Sequence, residues 1–168
     1  MTTADQDDIV VGVDGSAGSA AALRWAMAEA RASGRRVVAV RAWSFDPTAD
    51  LESAATQSLP GMEIRYRQQL ERSVADALAG ADPVPVRAEP VDGAPGPVLV
   101  RVSQNAAMLV VGSHGHGRLL RLLVGSVSAY CLKESRCPVV VVPVRTAEER
   151  GPVPEADTVA TYQPGPLL

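Results

Sequence analysis

Aromatic residues and long apolar runs are scarce in this sequence. Only 4% of its 168 residues are aromatic, whereas alanine, valine and leucine are frequent, a composition typical of small-residue helices packed on valine-rich strands. No apolar stretch approaches the roughly 18 to 20 residues that a membrane-spanning helix needs. The N-terminus, MTTADQDD, is acidic and unlike a signal sequence. We therefore expect a soluble, cytoplasmic protein with no membrane partner.

Cysteines and basic runs are equally sparse. Cys131 and Cys137 are too few for a disulfide framework or a four-ligand zinc site, and we interpret both as reduced structural thiols. The longest basic run is the pair Arg35 and Arg36, and the formal net charge is −3. Nothing in this charge pattern indicates nucleic-acid binding. With 46% hydrophobic residues, the chain can bury the core of one domain without disulfides or metals.

Short runs of β-branched residues alternate with helical patterns along the chain. The first predicted strand covers residues 8–13, and a helix follows with Ser16 as its N-cap and Ser33-Gly34 as its end. Pro85 makes the third strand an edge strand, because proline cannot donate to a central ladder. Further strands are predicted over 37–43, 84–91, 107–111 and 138–143, and the second helix has an apolar spine that includes Ile64, Leu70, Val74 and Leu78.

This alternation predicts βαβ units and a parallel sheet with right-handed crossovers. We expect one α/β domain over residues 8–144, a flexible N-terminus over 1–7 and a disordered tail, rich in proline and glycine, over 145–168. In such sheets, ligands bind at the carboxyl ends of the strands, where the strand order reverses. Polar or glycine-rich turns at those ends are therefore the candidates for function.

The richest glycine segment, GSHGHGRLLRLLVGSVS, begins at Gly112 after the fourth predicted strand. Gly112, Gly115 and Gly125 follow the spacing G-x2-G-x9-G, and Ser126 comes next. Glycines allow close approach of the backbone to a ligand and positive φ. Gly125 and Ser126 open a helix whose first N–H groups attract anions, and the hydroxyls of Ser126 and Ser128 add donors. The segment predicts a polyphosphate site.

Two better-known phosphate loops do not fit. A Walker A loop needs Lys-Ser/Thr after G-x4-G, where this chain has Arg118-Leu119, and that loop would follow the first strand. The dinucleotide motif G-x-G-x-x-G is missing from the turn after the first strand. We therefore reject a P-loop nucleoside triphosphatase and do not expect a dinucleotide ligand.

The pattern G-x2-G-x9-G-[ST] resembles the ATP-binding signature of the universal stress protein family, and this chain matches every position of it. Val11–Ser16, Val91–Pro95 and Cys137–Pro143 add to the resemblance, which extends over residues 8–144. The resemblance implies a Rossmann-like α/β fold, with a five-stranded parallel sheet of order 3-2-1-4-5 and helices on both faces. It also implies a homodimer; an apolar strand over Val139–Val142 would otherwise be an unprotected edge.

The resemblance further implies which residues bind ATP. Gly12 and Asp14 would face the nucleoside, and Ala42 would line the adenine. Gly112 and Gly115 would pass close to the ribose and phosphates. Any Mg²⁺ would be carried by phosphate and water; no catalytic and no metal-ligating residue is expected. The phosphate chain itself would be held by Gly125, Ser126, Val127 and Ser128.

Several of these residues have plainer interpretations. Asp14 taken alone is a helix N-cap, and we favour solvated loop histidines over a metal or transferase motif for His114 and His116. Arg118 and Arg121 fit terminal phosphates and a solvated loop equally well. At the level of function, a nucleotide-dependent stress-response regulator is our first hypothesis. The alternatives are a slow ATPase or phosphotransferase, and a sensor of AMP or a cyclic nucleotide.

Overall fold

The computed structural model describes residues 3–44, 59–113 and 125–143. Within these ranges strands and helices alternate along the chain, beginning and ending with a strand. The elements are β1 (Asp8–Gly12), α1 (Ala17–Ser33), β2 (Arg36–Trp43), α2 (Leu59–Leu78), β3 (Val86–Asp92), α3 (Pro95–Val102), β4 (Met108–Gly112), α4 (Ser126–Glu134) and β5 (Val139–Val142).

The five strands form one parallel sheet of order β3-β2-β1-β4-β5. The sheet order implied by the family resemblance is therefore confirmed, and β3, with Pro90 inside it, is an edge strand as predicted. β1 lies in the centre, with Val11 beside Ala39 of β2 on one side and Val110 of β4 on the other. None of the helices in the described ranges has the length and hydropathy needed to cross a membrane.

Two hydrophobic cores lie on opposite faces of this sheet. Ile9 and Val11 point into the first core, where Leu23 and Met27 of α1 and Leu70 of α2 cover them. The intervening residues of the same strands point the other way, because side chains alternate along a strand. The second core contains Val10 and Leu109 beneath Val98 and Leu99 of α3 and Cys131 of α4. Helices thus cover both faces, as expected.

Helix α1 begins and ends where the sequence predicts. The Ser16 hydroxyl accepts a hydrogen bond from the Ser19 N–H at 3.1 Å, which satisfies one of the donors at the helix start. Gly34 ends the helix in a left-handed conformation, with φ of 69°, and its N–H donates to the Ala30 carbonyl.

The predicted apolar spine of α2 is wrong at one residue. Leu70 is fully buried and Val74 and Leu78 pack against the first core, but Ile64 is 57% exposed. Met62, 7% exposed, is the inward-facing residue of the first turns. Because each residue of a helix turns about 100°, Ile64 lies on the side opposite Met62.

The chain before β1 contacts the domain, although a flexible segment was expected over 1–7. Ala4 is 2% exposed, and its N–H donates to the Val102 carbonyl at 3.1 Å. Arg36 binds the carboxylates of Asp5 and Asp8 at 2.7 and 2.9 Å. Packing against the second core therefore begins before β1. The predicted tail over 145–168 lies outside the described residues.

Candidate functional site

The candidate site is the carboxyl edge of the sheet around β1 and β4. From β1 the chain continues to β2 on one side, while β4 and β5 extend the sheet on the other. The strand order therefore reverses between β1 and β4, and the turns that follow them diverge to opposite faces, which leaves a crevice. Gly12 ends β1 and Gly112 ends β4 at this crevice.

The turn after β1 is held by backbone and carboxylate hydrogen bonds. The Val13 N–H donates to the Val40 carbonyl at 2.8 Å, and the Asp14 carboxylate accepts from the Ser16 N–H at 2.9 Å. Gly15 has φ of 86°, a conformation that favours glycine. Ser16, rather than Asp14, is the N-cap of α1. Asp14 therefore braces an exposed turn at the edge of the crevice.

The amino end of α4 is fixed beside the end of β4. The Gly125 N–H donates to the Ser113 carbonyl at 2.7 Å, and the Ser113 N–H donates to the Val142 carbonyl at 2.9 Å. The Ser128 hydroxyl donates to the Gly112 carbonyl at 2.6 Å. These bonds bring together Gly112, Gly125 and the first turn of α4, residues that the glycine spacing predicted to act together.

The first turn of α4 offers an anion its backbone N–H groups. Gly125 caps the helix without a side-chain hydrogen bond, and the first turn contains no acidic residue. The N–H groups of Ser126, Val127 and Ser128 have no partner within the helix, because a helix leaves its first N–H groups unpaired. Ser126 is exposed, whereas Val127 packs against the second core. The positive end of the helix dipole is thus open at Ser126.

Ser128 and the two predicted glycines have structural partners that sequence reasoning missed. The Ser128 side chain is buried and its proton is used by Gly112, so its predicted role toward phosphate stays a prediction. A Cβ on Gly112 would lie 2.6 Å from the backbone carbon of Gly18 in α1, whereas a Cβ on Gly12 would meet the Leu99 side chain at 2.9 Å. Both glycines therefore permit close packing inside the domain.

Glycine was expected to supply positive φ in the segment from Gly112 to Gly125. At the end of this segment, however, Gly125 has φ of −59°. Gly115 lies outside the described residues, as do the candidate loop side chains His114, His116, Arg118 and Arg121.

At the end of β2, Ala42 has two larger neighbours. Ala42 packs toward the second core, while Arg41 and Trp43 point to the opposite face. There the Trp43 ring stacks on Tyr66 of α2 with 5.7 Å between centroids, and the Arg41 guanidinium lies 5.4 Å from the Tyr66 ring centre. The alternation R-A-W places Arg41 and Trp43 on one face, but no local pattern links them to Tyr66.

Two further features of the described residues are a buried thiol and a groove between α3 and α4. Burial, with a smaller effect of the Cys137 charge, raises the pKa of the Cys131 thiol to about 11, which suits a structural thiol. Within the described ranges no three His, Cys, Asp or Glu side chains are grouped so as to hold a metal. A groove of about 310 Å³ lies between α3 and α4, lined by Arg101, Tyr130 and Arg136 among others.

An all-parallel, doubly wound sheet with a crevice between β1 and β4 defines a Rossmann-like α/β protein. The model of the universal stress protein family matches residues 7–143. The chain therefore belongs to the universal stress protein family.

Curated relatives agree with this assignment. The universal stress protein Rv2005c of Mycobacterium tuberculosis is 40% identical over 138 residues, which are 79% of this chain and 44% of that protein. A universal stress protein of Mycolicibacterium smegmatis is 34% identical over 151 residues, 84% of this chain and 50% of that protein. The chain thus spans about half the length of these relatives.

Solved structures show the same fold. The hypothetical protein MJ0577 superposes with a TM-score of 0.66 at 21% identity, over 84% of this chain and 98% of that one. A universal stress protein in complex with cAMP gives a TM-score of 0.55 at 28% identity, with 83% and 98% covered. The universal stress protein of Archaeoglobus fulgidus in complex with dAMP gives 0.55 at 19% identity, with 84% and 99% covered.

Proposed function

We propose that this protein binds an adenine nucleotide at the carboxyl edge of β1 and β4 and acts as a nucleotide-dependent regulator. One observation carries the proposal: the hydrogen bonds from Gly125 to Ser113 and from Ser128 to Gly112 hold the amino end of α4 against the crevice. An open helix N-terminus at a switch point is the usual place for a phosphate in this class of fold.

The phosphate end of the ligand binds at α4. Unpaired N–H groups at Ser126 and Val127 donate to phosphate oxygens, and no carboxylate in the first turn repels them. The helix dipole adds about 0.3–1 kcal/mol for each favourable charge near its end. Gly112 and Gly115 would pass close to the ribose and phosphates, as the family signature implies.

Adenine is the base that the comparisons favour. One similar structure is a complex with cAMP and another a complex with dAMP, so the ligand chemistry shared by these relatives is an adenine nucleoside with phosphate. The match of Gly112, Gly115, Gly125 and Ser126 to the ATP-binding signature extends the proposal to ATP. Mg²⁺ would accompany ATP through the phosphates and water.

Binding rather than turnover is the proposed activity. Fast phosphoryl transfer needs a base or water-orienting group at the γ-phosphate and a held metal. The Asp14 carboxylate, the candidate on the first turn, accepts from the Ser16 N–H and so has a structural role in that turn. A ligand that binds one conformational state better than another shifts the population of that state, and ATP would regulate through such a shift. The cytoplasmic location belongs to the same proposal.

The experiment that tests the site changes one charge at Ser126. Ser126→Asp leaves the helix start at least as stable, because acidic residues suit a helix N-terminus, but places a carboxylate where the phosphates bind. We expect the dissociation constant for ATP, measured by calorimetry, to rise at least about tenfold, which is roughly 1.4 kcal/mol. Ser126→Asn, neutral and of the same size, is the matched control and should bind nearly as wild type does.

Titrations with ATP, AMP and cAMP distinguish an ATP regulator from a sensor of nucleoside monophosphates. That sensor is the second candidate function, because two similar structures are complexes with cAMP and dAMP. If wild type and Ser126→Asp bind ATP with equal affinity, α4 is not part of the binding site. If the protein released phosphate from ATP at several turnovers per minute, the regulator hypothesis would be wrong and the protein would be an ATPase.

A further inference from the structure

Arg41, Tyr66 and Trp43 form a side-chain cluster at the carboxyl end of β2, which we call the β2 stack. Arg41 and Trp43 are two residues apart on one strand and both contact Tyr66 of α2, at 5.4 and 5.7 Å from its ring centre. The Trp43 and Tyr66 rings are nearly parallel, with 20° between their planes. The Tyr66 ring, stacked on Trp43, therefore supports the Arg41 guanidinium at the edge of the sheet.

The guanidinium of the β2 stack is directed to the turn after β1. A Cβ built on Gly15 would lie 3.5 Å from Arg41 Nη1, so the cation reaches the turn that contains Asp14. Among the described residues, Arg41 pairs with no carboxylate closely enough to form a salt bridge. Contact with the face of a ring does not use the five N–H donors of a guanidinium. Arg41 therefore brings an oriented set of donors to the crevice.

Sheet geometry sets which part of a nucleotide the β2 stack would meet. β2 is two strands away from β4, which is about 10 Å at 4.8 Å per strand. The amino end of α4 is bonded to the end of β4 through Gly112 and Ser113. A nucleoside is long enough to span this separation, so a nucleotide with its phosphates on α4 would have its base beside β2.

We propose that Arg41 is a further nucleotide-binding residue, which contacts the base and ribose from the α2 side, and that Tyr66 is the residue that positions it. The inference rests on the proposed function and adds a contact that the glycine signature does not include. The partners are the acceptor atoms of the purine ring and the ribose, together with the ring face, on which guanidinium groups stack. The phosphates are bound elsewhere, at α4.

Position along the ligand gives Arg41 a distinctive signature. Replacing a residue that binds the nucleoside weakens the affinity of the protein for adenosine, AMP and ATP by the same factor. Changing a residue at the phosphate site, as in Ser126→Asp, weakens the affinity more for ligands that carry more phosphates. We expect Arg41→Gln to weaken binding of all three ligands by a common factor of roughly five to ten, which lies within the net range of a single hydrogen bond.

Calorimetric titration of wild type, Arg41→Gln and Arg101→Gln with adenosine, AMP and ATP is the experiment. Arg101 lines the separate groove between α3 and α4, so its variant controls for loss of one positive charge and should bind as wild type does. Trp25→Phe leaves Trp43 as the sole tryptophan of the chain. In that background, Trp43 emission should change on binding, because its stacking partner Tyr66 holds the contacting arginine.

Tyr66 is tested through rescue by a conservative variant. Tyr66→Phe keeps the ring that supports Arg41 and should retain wild-type affinity, whereas Tyr66→Leu removes the ring and should weaken binding of adenosine and ATP by the same factor. Melting temperatures of both variants without ligand identify any loss of fold.

The outcomes separate this inference from the function on which it rests. If wild type binds none of the three ligands, the proposed function is wrong. If wild type binds and Arg41→Gln binds equally well, only the assignment of Arg41 is wrong. A loss that grows from adenosine to ATP also overturns it, since Arg41 would then be a phosphate ligand. Tyr66→Leu that is folded and binds with wild-type affinity overturns the positioning role of Tyr66.

Discussion

Gly112 is required both for packing within the fold and for the geometry of the candidate site. On one side, its missing side chain admits the backbone of Gly18 at the start of α1. On the other, its carbonyl accepts the Ser128 hydroxyl and so fixes α4. The first contact holds α1 to β4, and the second places the helix N-terminus that we propose for phosphate. A glycine in a binding motif can thus be required before any ligand arrives.

Gly112→Ala should destabilise the domain even without nucleotide. The added methyl group would lie 2.6 Å from a backbone carbon of Gly18, which cannot move without shifting α1. We expect a loss of about 1–3 kcal/mol in the free energy of unfolding, the usual range for overpacking, measured by urea denaturation.

Gly12→Ala is the matched control for this substitution. Its methyl group would meet the end of the Leu99 side chain at 2.9 Å, and a side chain can rotate away. The loss should therefore be smaller than for Gly112→Ala. Equal stability of Gly112→Ala and wild type would show that α1 yields easily and that Gly112 is not a packing requirement.

At the scale of elements, a salt-bridged segment joins the chain before β1 to the start of β2. Arg36 binds Asp5 and the buried Asp8, and the Asp7 N–H donates to Asp5. The hydrogen bond from Asp7, followed by that from Arg36, lowers the pKa of Asp5 below its ordinary value. The pair is largely exposed, so salt will screen it.

This segment should add an acid-sensitive contribution to stability. Because the folded-state pKa of Asp5 is lowered, its contribution is fully present above the unfolded value of about 3.9 and is lost as pH falls through the folded value. Arg36→Gln should lower the melting temperature at neutral pH and reduce its fall below about pH 4. Thermal melts of both proteins across that range are the measurement. Parallel melting curves against pH would contradict the role of Arg36.

Sequence patterns located the elements well and their long-range contacts poorly. The caps of α1 at Ser16 and Gly34 are local, and spacing alone predicted them. Ile64 was misplaced because the residue that sets the phase of α2, Met62, precedes the regular apolar pattern. The contact of Gly112 with Gly18 and the β2 stack join residues far apart in the chain, so no spacing rule encodes them.

At the scale of the whole molecule, β5 is an edge strand of the sheet. Within the described residues it pairs with β4 alone, and its four valines are half-buried. Such an edge invites another strand, and a second copy of the chain is the partner that the family resemblance implied. The chain spans about half the length of its mycobacterial relatives. We propose a homodimer through Val139–Val142.

Val141→Lys should separate this dimer without unfolding the domain. Lysine protects natural edge strands from pairing, and its aliphatic stem can still cover the second core. Light scattering after size exclusion should give about twice 17.6 kDa for wild type and 17.6 kDa for Val141→Lys. Val141→Thr, similar in shape and uncharged, should remain dimeric. A monomeric wild type at micromolar concentration would contradict the interface.

β5, the strand of the proposed dimer interface, is hydrogen-bonded to the proposed nucleotide site, so coupling between dimerisation and nucleotide binding can be measured. The carbonyl of Val142 accepts the Ser113 N–H, and the carbonyl of Ser113 accepts the Gly125 N–H, so one chain of hydrogen bonds runs from β5 to the start of α4. Linkage is reciprocal, so a nucleotide that tightens dimerisation must bind the dimer more tightly than the monomer. Because a dimer holds two nucleotide sites, saturating ATP should lower the dimer dissociation constant of wild type severalfold, and Val141→Lys should bind ATP more weakly by the square root of that factor. Dimer dissociation constants that are identical with and without ATP would show that nucleotide occupancy is read through another surface.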